Sequence, residues 1–228
     1  NNCGAESPKW IGRCPICGEW NTYVEEVVST KSAAGGRGEF GTMEPSKVRP
    51  QRIDDIQITE ESRIDLGNDE LNRVLGGGLV RGSLVLIGGE PGIGKSTLIL
   101  QTVLALKGQK ILYVSGEESA RQLKLRAERI GGKAPNCYIV CETSLEDIFV
   151  HIRNVDPDIV VIDSIQTIAT SAMESSPGSV GQVRECAASL LKFAKQTNTP
   201  VLLVGHINKE GSIAGPKVLE HIVDTVLQ

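Results

Sequence analysis

Gly89-Glu90-Pro91-Gly92-Ile93-Gly94-Lys95-Ser96 fits the phosphate-binding loop pattern G-x-x-x-x-G-K-[ST] at every fixed position. Its flanks agree with it. Leu84-Val85-Leu86-Ile87 is a short apolar run that predicts a buried strand, and Thr97 to Ala105 carries a helical pattern. Strand, glycine-rich loop and helix form the arrangement in which backbone N–H groups turn inward around phosphate oxygens. The helix N-terminus adds the positive end of its dipole. On this reading Gly89, Glu90, Pro91, Gly92, Ile93, Gly94, Lys95, Ser96 and Thr97 line a nucleotide site. Lys95 reaches the β- and γ-phosphates of ATP, and Ser96 coordinates Mg2+.

Outward from the loop, the pattern alternates. Lys110–Ser115, Cys137–Val140, Asp158–Asp163 and Pro200–Gly205 read as four further strands. Ser119 to Ile130, Ser144 to Arg153 and Val180 to Thr197 read as helices between them, and Leu71 to Leu79 as a short helix stopped by glycines. The strands are apolar on both faces, which predicts an α/β fold with a mainly parallel sheet between helices. This core spans 53–228. Residues 28–52, with Ser32-Ala33-Ala34-Gly35-Gly36-Arg37-Gly38, lack periodicity and read as a flexible linker. Residues 1–27 form a separate cysteine-bearing module.

Ligands bind at the carboxyl edge of such a sheet, and three polar positions fall there. Asp163 ends an apolar strand next to the phosphate loop and would hold Mg2+ with Ser96. A strand-end acid that caps a turn is the plainer alternative. Glu117, in Ser115-Gly116-Glu117-Glu118, is placed to polarise the water that attacks a γ-phosphate. The alternative is a helix-start acid favoured by the dipole. His206 ends the fifth strand and can sense the γ-phosphate, or it is simply a satisfied strand-end histidine.

Two long loops follow these strands, 166–182 and 208–216, with Arg184, Lys209 and Lys217 in or beside them. Long loops on a compact α/β core are commonly functional. Their basic side chains are candidate phosphate contacts for DNA, against the alternative of solvated charges.

The six cysteines are too few for a disulfide scaffold. Cys14-Pro15-Ile16-Cys17-Gly18 is half of a four-thiolate Zn2+ site, and Cys3-Gly4 matches the end of a second C-x-x-C-G. The partner of Cys3 would fall one position before Asn1, so Cys3, Cys14 and Cys17 are three of four expected ligands. Cys137, Cys141 and Cys186 sit in core-like segments and read as buried small hydrophobes. The 24 basic and 28 acidic residues give a net charge of -4, which excludes a whole-surface polyanion-binding field. No apolar run is long enough for a membrane span, and the clustered thiols suit a reducing, cytoplasmic compartment.

Together these segments resemble the bacterial RadA (Sms) DNA repair and recombination family. The resemblance rests on Cys14-x-x-Cys17-Gly18 with Ser7-Pro8-Lys9-Trp10, on Arg73 to Val80, on Gly89 to Thr97, and on Tyr113-Val114-Ser115-Gly116-Glu117-Glu118-Ser119. It implies a RecA-like P-loop ATPase core behind a small zinc ribbon. It further implies a hexameric ring that binds single-stranded DNA, acts on recombination intermediates by branch migration, and works beside a RecA-type recombinase. By that similarity Glu117 is the catalytic glutamate and His206 the γ-phosphate sensor, while the two loops face DNA in a central channel. A RecA-like signalling or assembly ATPase that engages protein partners is the other class to weigh. The family's first finger cysteine, its Lys-Asn-Arg-Phe-Gly motif and its protease-like domain are not in residues 1–228, so the chain is expected to be part of a longer protein.

Overall fold

The computed structural model describes residues 52–55, 63–131, 135–206 and 219–228. The chain divides into two units, Asn1–Ile56 and Gln57–Gln228. A single 3-10 turn at Ile53–Asp55 is the described part of the first. The zinc-ligand cysteines Cys3, Cys14 and Cys17, the linker to residue 51, and the basic residues Lys209 and Lys217 lie outside the described residues.

The second unit is an α/β layer structure. Its strands are β1 (Leu84–Gly89), β2 (Ile111–Ser115), β3 (Cys137–Cys141), β4 (Ile159–Asp163), β5 (Val201–His206) and β6 (Thr225–Leu227). They form one sheet in the order β3-β2-β4-β5-β1-β6, and every recorded pairing is parallel. The helices are α1 (Asp69–Val74), α2 (Lys95–Ala105), α3 (Ala120–Arg129), α4 (Leu145–Val155) and α5 (Val180–Thr197).

Side chains alternate across the strands, so each strand feeds two cores. Leu84, Leu86, Val160, Ile162, Val201 and Leu203 pack with the apolar stripes of α4 and α5. Val85, Ile87, Ile159, Val161, Leu202 and Val204 pack with Ile99, Leu100 and Val103 of α2 and Leu123 of α3. This is why β4 reads as an unbroken apolar run: both of its faces are covered. β3, at the edge of the sheet, is only partly buried. There Cys141 is exposed and Cys137 intermediate, and Cys186 alone of the three is buried. The expectation of three buried thiols therefore holds for Cys186 and fails for Cys141, because an edge strand has a neighbour on one side only.

Three of the helices, α3, α4 and α5, start at serine caps. Ser119 accepts from the Gln122 N–H, and the Gln122 side chain returns to the Ser119 N–H, a full capping box. Ser144 and Ser179 cap α4 and α5 in the simpler way, each accepting from the N–H three residues on.

Candidate nucleotide site

The parallel register brings the ends of four strands to one sheet edge. Gly89 of β1 lies beside His206 of β5, and Ser115 of β2 lies beside Asp163 of β4. β5 stands between β1 and β4. Asp163 is therefore two strands from the loop's strand and meets the loop through α2, while His206 occupies the middle of the edge.

The loop closes on itself around Lys95. Gly92 (φ 80°) and Gly94 (φ 97°) take the left-handed conformations that turn the chain into α2. Lys95 is 6% exposed, and its Nζ donates to the Gly89 carbonyl at 2.8 Å and the Glu90 carbonyl at 2.7 Å. Burial pulls its pKa below the ordinary lysine value, against the charges of Asp163 and Glu117, which raise it. A desolvated cation whose neighbours here are neutral carbonyls is poised for an anion. The donor set thus suits the β- and γ-phosphates of a nucleotide.

Ser96 Oγ donates to Asp163 Oδ1 at 3.1 Å, and Asp163 is 5% exposed. One hydroxyl and one carboxylate are hard oxygen donors of the kind Mg2+ takes, with phosphate and water oxygens completing the shell. Among the described residues, no group of three His, Cys, Asp or Glu side chains is assembled for a metal. The other Asp163 oxygen, Oδ2, accepts from the Tyr113 hydroxyl at 2.6 Å. Burial, with the Asp163 charge and hydrogen bond behind it, drives the phenol pKa far above its ordinary value, so Tyr113 stays a neutral donor.

Glu117 precedes the Ser119 cap of α3 and turns toward the neighbouring strands. Its Oε1 accepts from Ser164 Oγ at 2.6 Å and lies 3.2 Å from His206 Nε2. A proton on Nε2 would let His206 donate to this carboxylate. Nδ1 is buried with no partner among the described residues. Gln166 Nε2 donates to the His206 carbonyl at 3.2 Å, so the turn after β4 also holds the end of β5. Glu118 differs from its neighbour: it pairs with Arg126 at 2.7 Å, back onto α3. Of the two adjacent acids, only Glu117 joins the sheet-edge cluster.

Arg184 lies exposed on the second turn of α5. The stretch before it is anchored by a residue that the sequence pattern did not single out. Gln182 is 2% exposed; its Oε1 accepts from the Thr170 N–H at 2.9 Å, and its Nε2 faces the carbonyls of Thr170, Met173 and Ser175 at 3.0–3.1 Å. Tyr113 and Ser164 were likewise not legible, because their hydroxyls matter only once strands three elements apart are paired.

Residues 47–212 match the family model of the AAA domain, and residues 1–25 that of the rubredoxin metal binding domain. The chain is 53% identical over 228 residues to a DNA repair protein RadA of Bacillus subtilis, covering 99% of this chain and 50% of that one. It is 50% identical over 226 residues to the DNA repair protein RadA of Pseudomonas aeruginosa, covering 99% and 49%. The DNA repair protein RadA of Chlamydia pneumoniae is 48% identical over 229 residues, covering 100% and 49%. The chain thus spans about half the length of these curated relatives.

Proposed function

The chain belongs to the AAA domain family, and on that footing we propose that it hydrolyses ATP in a DNA-dependent manner in recombinational DNA repair. The observation that carries the reading is convergence at one sheet edge. Lys95 and Ser96 at the start of α2, Glu117 after β2, Asp163 and Ser164 at the end of β4, and His206 at the end of β5 are brought together from four separate stretches of the chain.

The division of work follows from the groups. The loop amides and Lys95 bind and orient the phosphates. Ser96 and Asp163 hold Mg2+, which when bound neutralises charge developing on the phosphate oxygens. Glu117 orients the attacking water and takes its proton; its second oxygen, Oε2, is left for that water by the pairing of Oε1. His206, beside Gly89, stands where a γ-phosphate can draw its Nε2–H away from Glu117.

The relatives' printed names speak of DNA repair, and this supports DNA as the partner. The finer picture is a homo-hexameric, ring-shaped motor that drives branch migration on single-stranded DNA beside a RecA-type recombinase, in the cytoplasm. In it the loops 166–182 and 208–217 face the channel, with Arg184, Lys209 and Lys217 on DNA phosphates. Residues 1–27 form a zinc module in which Cys3, Cys14 and Cys17 are ligands, and residues 28–52 link it to the core. The match of residues 1–25 to a metal binding domain supports the zinc. The test is steady-state ATP hydrolysis by the full-length protein with and without single-stranded DNA. Stimulation by DNA is expected, and equal rates would favour the protein-engaging class of ATPase.

A further inference from the structure

We propose that Tyr113 is a positioning residue for the metal-binding carboxylate, its phenol holding one oxygen of Asp163 so that the other is presented with Ser96 to the Mg2+ of a bound nucleotide. The proposal deepens the reading above and rests on it.

Sheet register places the pair. Tyr113 on β2 lies directly opposite Val161 on β4, and Asp163 is two residues further along the same strand. Side chains two apart share a face, so Tyr113 and Asp163 are diagonal neighbours on the side covered by α2. That diagonal is roughly 7–8 Å between backbones, a span an aromatic side chain bridges and a short one does not. The ring runs up the sheet toward the carboxyl edge, and its hydroxyl meets Asp163 Oδ2 at 2.6 Å.

Packing alone does not account for the hydroxyl. Tyr113 is 0% exposed, and it is the one buried member of its core cluster that carries a hydroxyl. A phenylalanine would fill the same volume without the cost of burying a polar group. What the hydroxyl adds is a fixed carboxylate. Asp163 has its two oxygens assigned to different partners, Oδ2 to the phenol and Oδ1 to Ser96. Without the phenol the carboxylate can rotate, and either oxygen can turn to Ser96. Donors behind a metal-binding group of this kind commonly contribute tenfold or more to metal affinity.

The experiment compares the full-length protein with its Tyr113→Phe and Asp163→Asn variants. A fluorescent, non-hydrolysable ATP analogue is bound in EDTA and then across an Mg2+ titration, with thermal melting as a check on folding. Tyr113→Phe is expected to keep its affinity in EDTA within about twofold while half-saturation by Mg2+ rises about tenfold. An Mg2+ response equal to the parent's overturns the proposal. So does an affinity loss of the same size with and without Mg2+, which would mark a packing defect. If Asp163→Asn loses the Mg2+ response while Tyr113→Phe keeps it, Tyr113 falls and Asp163 stands. If both variants respond as the parent does, the metal role of Asp163 falls and the proposal with it.

Discussion

At the scale of single residues, the site depends on charges held where water is scarce. Lys95 is buried against the loop's own carbonyls. Removing it deletes the positive charge proposed to face the γ-phosphate. By analogy with a lost transition-state donor, Lys95→Ala should lower turnover about 100-fold or more. Steady-state hydrolysis measures this, and an unchanged rate would sink the assignment. Glu117→Gln keeps the shape and the contact surface but removes the base, so nucleotide binding should survive while hydrolysis drops about 100-fold or more. Turnover within a few-fold of the parent would leave Glu117 as a helix-start acid. Gly116 is a different kind of residue. A Cβ there would fall into the Thr167 side chain, with the Thr167 Cβ at 2.6 Å. Gly116→Ala should therefore force apart the turns after β2 and β4 and cost about 1–3 kcal/mol, read from the denaturant midpoint.

The element that most needs its own explanation is the irregular stretch between the 3-10 turn Ile165–Thr167 and α5. It has little regular backbone pairing, and two side chains from helices hold it. Gln182 from α5 binds it from within, and Glu146 from α4 accepts from Thr170 Oγ1 at 2.8 Å, the Ser171 N–H at 3.0 Å and Ser171 Oγ at 2.9 Å. Replacing Gln182 by Leu leaves a buried N–H and several carbonyls without partners, at about 1–3 kcal/mol for a group so stranded. Limited proteolysis should then cut within 171–178 faster than in the parent, and an unchanged cleavage rate would show that the loop is held by other means. Burial pushes the Glu146 carboxyl up, but the Thr170 and Ser171 donors outweigh it, and its pKa falls below the ordinary glutamate value. A depressed carboxyl pKa stabilises the fold above the ordinary value, and that contribution is lost as pH falls through the folded value. Hydrogen exchange at the Ser171 amide should accordingly lose protection on acidification below about pH 4.3 beyond what intrinsic rates explain.

For the whole molecule, the proposed DNA partner can be tested through its salt dependence. Phosphate contacts give affinity that falls steeply with salt and carry little sequence preference. The double variant Lys209→Ala, Lys217→Ala in the full-length protein should lower both single-strand affinity and its salt slope. An identical slope with unchanged affinity would move the DNA elsewhere, for instance to Lys9, Trp10 and Arg13 of the cysteine module. Metal analysis of the full-length protein should return about one zinc per chain, since four thiolates are needed to hold so small a module together. Absence of zinc there would refute the module's assignment.

The amino-acid sequence alone determined the loop, the alternation of strands and helices, and which acids fall at strand ends. Those signals are local: a glycine-rich turn before Lys95, apolar runs of four to six residues, and a serine ahead of α3, α4 and α5. Val180 to Thr197 is legible as one helix for this reason, and α5 occupies that span. Strand order was not local. Only the tertiary structure put β5 between β1 and β4, set His206 against Glu117, and brought Tyr113 diagonally onto Asp163. Glu117 and His206 are 89 residues apart in the chain, and Tyr113 and Asp163 are 50 apart. No periodicity spans such distances. The pairing is decided by which apolar faces bury each other, and the polar groups at the strand ends then meet according to that packing.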